Sequence, residues 1–164
     1  MPSRRDNGQR NKLDIRTMTI LSPSQFIRKQ RYGVLSTLSV AESGYPFGSI
    51  TPYIISAEGD IAIFISHLAE HTHNIQANVK VSLTIFDPED ADNPMAGARV
   101  TCLAAAIHAE DETPLRTDYL NKFPDSEIIL SLPGFHFYLL KLVKIRLVAG
   151  FGQVRWLTPE ELSL

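Results

Sequence analysis

The chain has 164 residues, 44% of them hydrophobic, with 16 Lys plus Arg against 18 Asp plus Glu and a net charge of −2. That length and apolar share fit one domain with a real core, and the near balance of charge gives no long-range pull toward nucleic acid. The single cysteine, Cys102, excludes an internal disulfide and a Cys-based zinc site. No apolar run reaches the about 18 residues of a spanning helix, so a cytoplasmic protein with no membrane or nucleic-acid partner is expected.

Residues 1–18 are basic and polar and lack the apolar stretch of a secretory signal; they read as a disordered leader, with a single domain over 19–164. Ser22, Pro23 and Gln25 mark a helix start, supplying an N-cap hydroxyl, a proline at the first helical position and a capping-box partner. Phe26, Ile27 and Gln30 continue this helix, and Gly33 is expected to end it. Residues 33–40 alternate as a strand, 42–46 form a turn, and 47–56 form a second strand. A tight turn at 57–60 leads to a third strand at 61–66. Residues 68–78 have helical spacing in Leu68, Thr72 and Ile75. A fourth strand spans 80–87 and a fifth 98–110, with a loop between them. A helix follows at 113–123, and residues 135–157 supply two more strands, broken around Ala149 and Gly150. Strands joined by short turns, with few helices and no βαβ rhythm, predict a mainly β fold built as an antiparallel barrel.

The most unusual local feature is "ISHLAEHTHNI", residues 65–75, with three histidines. His67 and His71 are four apart and share a helical face. A zinc protease pattern needs Glu directly after the first His, where Leu68 stands, so no metal site is expected here. Nor does Cys102, in a strand, make a nucleophile–base pair with any of them. A better reading is a helix start with free N–H groups and two imidazoles after Ser66, a cradle for an anion such as phosphate. Ser49 and Thr51 share one face of their strand, and Arg99 and Thr101 share one face of theirs. An arginine beside hydroxyls can fork two hydrogen bonds to a phosphate.

In order, "GYPFGSITPY", "FISHLAEHTHNIQANVKVSL", "NPMAGARVT" and "LVAGFGQVRWL" resemble the pyridoxamine 5′-phosphate oxidase-like, FMN-binding split barrels, and more narrowly their haem-utilisation branch of the HugZ/HutZ type. The resemblance runs from about Phe26 to Leu157. It implies a homodimer of six-stranded antiparallel split barrels with two small-molecule sites at the interface. Cofactor contacts are then expected at Ser49, Ile50, Thr51, Ser66, His67, His71, Asn74, Arg99 and Thr101, with no catalytic residue assigned. FMN is the expected cofactor of an oxidoreductase-like protein. Haem is the alternative, and a cofactor-free dimeric binding module the third reading.

Some positions depart from the family pattern. Glu70 stands where oxidases carry the first of two basic residues at the phosphate, and Ala104 and Ala105 replace a glycine and a basic residue. Haem-degrading relatives supply an axial histidine from a C-terminal tail. This sequence has no histidine after His136, so ligation by that tail is not expected, nor is the further C-terminal domain of some relatives.

Overall fold

The computed structural model describes residues 22–90, 92–93, 95–149 and 153–164; the expected leader lies outside them. The described residues form seven strands: β1 (Tyr32–Leu38), β2 (Pro46–Ile55), β3 (Ile61–Ser66), β4 (Lys80–Phe86), β5 (Arg99–His108), β6 (Phe135–Ala149) and β7 (Gln153–Leu157). The helices are α1 (Pro23–Lys29), α2 (Glu70–Ala77), α3 (Thr113–Lys122), α4 (Glu127–Ser131) and α5 (Pro159–Leu162). The sheet runs β3-β2-β1-β4-β5-β6-β7, every neighbour antiparallel, and β3 also pairs with β6. Six strands thus close into a barrel. The seventh continues outside it, on the half of β6 that β3 leaves free.

Alternation along the strands decides what fills the barrel. Leu35, Tyr53, Ile63, Leu83, Cys102 and Ile145, one from each barrel strand, are completely buried in one cluster. Each such aliphatic or aromatic side chain contributes about 1.5–3 kcal/mol. The Tyr53 hydroxyl is satisfied by donating to Ile27 O of α1 at 2.6 Å. A second core lies outside the barrel, where Ile54, Ala62, Phe64 and Phe137 pack under Leu115 and Tyr119 of α3 and Leu130 of α4. This explains why β3 reads "IAIFI" with no polar alternation: both its faces are buried. Among the described residues, no helix covers the outer face of β1, β4 and β5 in this way.

Local signals work as the sequence predicts at α1, where Ser22 and Gln25 form a capping box. Gly33 does not end that helix. The cap is Gln30, and Gly33 is a buried residue of β1 whose added Cβ would stand 2.8 Å from Thr84 O. Glycine is there because β1 and β4 approach closely, not because a helix stops. Two helices escape the sequence reading, α4 and α5. The second carried a legible signal, a Thr158–Glu161 capping box with Pro159 at its start.

Candidate functional site

The histidine segment closes one end of the barrel. After β3 the chain turns at Ser66, whose hydroxyl accepts from Leu68 N at 3.2 Å and whose carbonyl accepts from Thr72 Oγ1 at 2.6 Å. His67 N donates to Gly134 O at 2.7 Å, and its Nδ1 stands 2.8 Å from the same oxygen. Gly134 has φ +79°, and a Cβ there would overlap the His67 ring, so the β6 entrance requires glycine. Helix α2 begins at Glu70, later than the sequence predicts. It places Ile75 in the barrel core and Asn74 completely buried beside it. Asn74 Nδ2 donates to Thr37 Oγ1 and its Oδ1 accepts from Val40 N, both at 2.9 Å. The amide therefore ties α2 to the end of β1.

His71, half-buried, has Nδ1 at 3.1 Å from Ser49 Oγ on β2. Its Nε2 and the hydroxyl of Thr51 are buried with no hydrogen-bond partner among the described residues. Such groups are uncommon and costly. Burial pushes the imidazole below its ordinary 6.5, which favours the neutral ring. Glu70 fills the first turn of α2, where its carboxylate suits the helix dipole and opposes a phosphate. Cys102 is buried and its thiol is pushed up to about 12 by desolvation, so it is no nucleophile.

The nine expected contacts fall into separate groups. Ser49 and Thr51 point inward with Tyr53, toward His71 and α2, whereas Ile50 between them points out and is 71% exposed. On β5, Val100 and Cys102 fill the core, so Arg99 and Thr101 stand on the outer face. Thr101 Oγ1 lies 3.2 Å from Thr84 Oγ1, and Arg99 Nη1 donates to Gly97 O at 3.5 Å. Val34 and Thr84 separate Ile50 from Thr101 in the ladder, three strand spacings or about 14 Å. Within one chain, Arg99 and Thr101 do not join Ser49, Thr51 and His71. Ser66 and His67 belong to the turn, and the side chain of Asn74 is spent inside the fold.

Sequence reasoning missed what else occupies that outer face. Arg146 registers with Thr101 and with Trp156 of β7, its guanidinium 5.2 Å from the indole centre, and Lys144 Nζ is 5.4 Å from the same ring. Beside them a groove of about 490 Å³ is lined by Leu38, Pro46, Leu103 and Val143, with Lys80 at its border. The alternation of apolar and basic residues in "LLKLVKIRLV" was the available signal.

The chain matches the CREG β-barrel family model over residues 24–163. It belongs to that family. Over 121 residues it is 35% identical to the chloroplastic haem oxygenase HOZ of Arabidopsis thaliana, covering 72% of this chain and 36% of that protein. Over 140 residues it is 28% identical to the haem oxygenase HutZ of Vibrio cholerae, covering 82% of this chain and 79% of HutZ. A haem-binding protein from Mycobacterium smegmatis shares the fold with a TM-score of 0.76 at 24% identity, over 86% of this chain and 58% of its own. The chain thus spans about a third of the plant relative and most of HutZ. The likeness to split barrels and to the haem-utilisation branch holds, and these relatives favour haem over the FMN first expected. Among the described residues, no helix is long and apolar enough to cross a membrane.

Proposed function

We propose that this chain is a haem-binding protein that works as a homodimer, with haem held in a cleft between two copies. The observation that carries the reading is the uncovered outer face. Ile50, Val143 and Trp156 are 71%, 66% and 47% exposed there, and Lys144 and Arg146 stand among them. A flat apolar macrocycle with two carboxylates matches an apolar plate bordered by cations. A second copy would bury the apolar side chains that the macrocycle leaves uncovered. The alternative, FMN, needs a grip on phosphate, and of the residues expected for it only His71 Nε2 and the Thr51 hydroxyl are unspent among the described residues. Ser49 is bonded to His71, Asn74 to Thr37 and Val40, and Glu70 sets a carboxylate at the helix entrance.

Bound haem would supply the iron's redox and oxygen chemistry. On this face the chain contributes apolar contact, charge for the propionates and exclusion of water. None of the outer-face side chains named above is a histidine or cysteine, so iron ligation is not assigned to them.

The test is a titration of the ligand-free protein with haemin, followed by Soret absorbance, beside a titration with FMN followed by fluorescence quenching. Haemin should bind saturably, and Arg146→Ala should weaken it about tenfold to a hundredfold, the loss of a charge-assisted contact of about 1.5–3 kcal/mol. Haemin dimethyl ester, lacking the free carboxylates, should bind wild type and variant alike. Saturable binding of FMN with none of haemin would replace this reading by the flavin one.

A further inference from the structure

His108 and His136 lie at the barrel end that α2 closes, and neither belongs to the contacts above. His108 is the last residue of β5, and His136, near the start of β6, registers with Ile65 just before the Ser66 turn. Their rings are 5.1 Å apart, and His108 also meets Tyr138 edge-on at 5.4 Å. Between them comes Glu112, at the N-terminus of α3. Its Oε1 accepts from Phe137 N at 3.0 Å and stands 3.2 Å from His136 Nδ1, while its Oε2 accepts from Arg116 at 2.8 Å. Arg116 in turn donates to Leu130 O at 2.6 Å.

One ligand atom from each of His108, Glu112 and His136 lies within 4.8 Å of the other two. Both histidines are exposed and Glu112 is half-buried, so an ion can reach the set from solvent. Zinc bonds of about 2.0–2.2 Å put tetrahedral ligand atoms about 3.4 Å apart, which small side-chain rotations would achieve. The backbone amide of Phe137 and the anchored Arg116 hold the carboxylate in place, as outer contacts do at metal centres. A plain surface ion pair would need only one histidine and would add little stability.

We propose that His108, Glu112 and His136 bind one divalent transition-metal ion of borderline softness, Zn²⁺ foremost, through two imidazoles and a carboxylate, leaving a fourth position open. Two imidazoles and one carboxylate suit zinc better than the oxygen-seeking Mg²⁺ or Ca²⁺. The residues are 4 and 24 positions apart, across a strand end, a helix start and a second strand, so no sequence motif announces them. The site is separate from the outer face and does not depend on the haem reading.

Metal-free protein should be titrated with Co²⁺, read by its visible ligand-field bands, and with Zn²⁺ in competition with a chromophoric chelator. Mg²⁺ serves as the comparison ion. One equivalent of Co²⁺ or Zn²⁺ per chain should bind, and Zn²⁺ should raise the melting temperature of the wild type. His108→Ala, His136→Ala and Glu112→Gln should each weaken Zn²⁺ more than about tenfold. His108→Ala leaves Glu112 and His136 in place, as well as His67, His71 and His73, so any binding it retains is the sum of what these residues hold. Equal affinity in wild type and His108→Ala, or no Co²⁺ spectrum with any protein, would overturn the proposal. If Glu112→Gln fails to fold, the two histidine variants and the Zn²⁺-induced shift of the wild type decide alone.

Discussion

Ser49, Ile50 and Thr51 are consecutive, yet they serve two regions that differ in almost every physical respect. The inner end of the barrel, under α2, is closed and polar, with Asn74 and His71 tying helix to strands and the His71 Nε2 and Thr51 hydroxyl without partners among the described residues. The outer face, reached by Ile50, Arg99, Thr101 and Arg146, is open and apolar with cations among its side chains. The contrast teaches that a conspicuous polar motif can be spent on holding the fold. The outer face, proposed to take the ligand, is an ordinary-looking alternation of apolar and basic residues.

The strongest way to break this contrast is to place a charge on each side of one strand. Thr51→Glu buries a carboxylate and should cost more than about 4 kcal/mol, seen as loss of a cooperative melt. Ile50→Glu, one residue away, should change stability by less than about 0.5 kcal/mol but prevent dimer formation in sedimentation. Equal melting of the two variants would mean that the strand does not alternate as described.

Asn74→Ala comes next. It strands Val40 N, takes one donor from Thr37 Oγ1, which keeps its bond to Phe47 O, and should cost about 2–4 kcal/mol by denaturant unfolding. The surviving folded protein should bind haemin as the wild type does, because the outer face is untouched. A parallel loss of haemin affinity would join the two regions into one site.

Titration sharpens the contrast at the barrel end itself. His71 has a folded pKa lowered from 6.5 by burial, so the unfolded chain takes up the proton first. Stability is then unaffected above about 6.5 and falls as pH drops from there toward the folded value. Glu112 behaves in a separate window. Its folded pKa lies below 4.5, so its contribution is present above that value and is lost as pH falls through the folded pKa. His71→Gln should flatten the first decline and Glu112→Gln the second, each followed by thermal melting across pH.

The smallest effect is expected from Thr51→Val. It removes a buried hydroxyl with no partner among the described residues and should be neutral or stabilise by up to about 1 kcal/mol. Destabilisation beyond that would show that the hydroxyl is paired in solution, for instance to an internal water.

Much of this protein is legible along the chain, because some features depend only on near neighbours. The Ser22–Gln25 capping box, the tight turn at Gly59, the period-two alternation of the strands and the long pair at the end follow from local chemistry. Together with the motif resemblance they led to a split barrel. The candidate site was less legible. Arg99 with Thr101 and Ser49 with Thr51 each form a pair at i, i+2, and spacing alone allowed both pairs to meet. Which face each pair takes depends on β3 closing onto β6, a contact between residues 69 to 79 positions apart. That closure turns Ser49 and Thr51 inward and leaves Arg99 and Thr101 outside. It also brings His136 beside His108 and Glu112, three residues that no periodicity relates. Alternation says that neighbouring residues of a strand face opposite ways, but only the ring of paired strands decides which way is in.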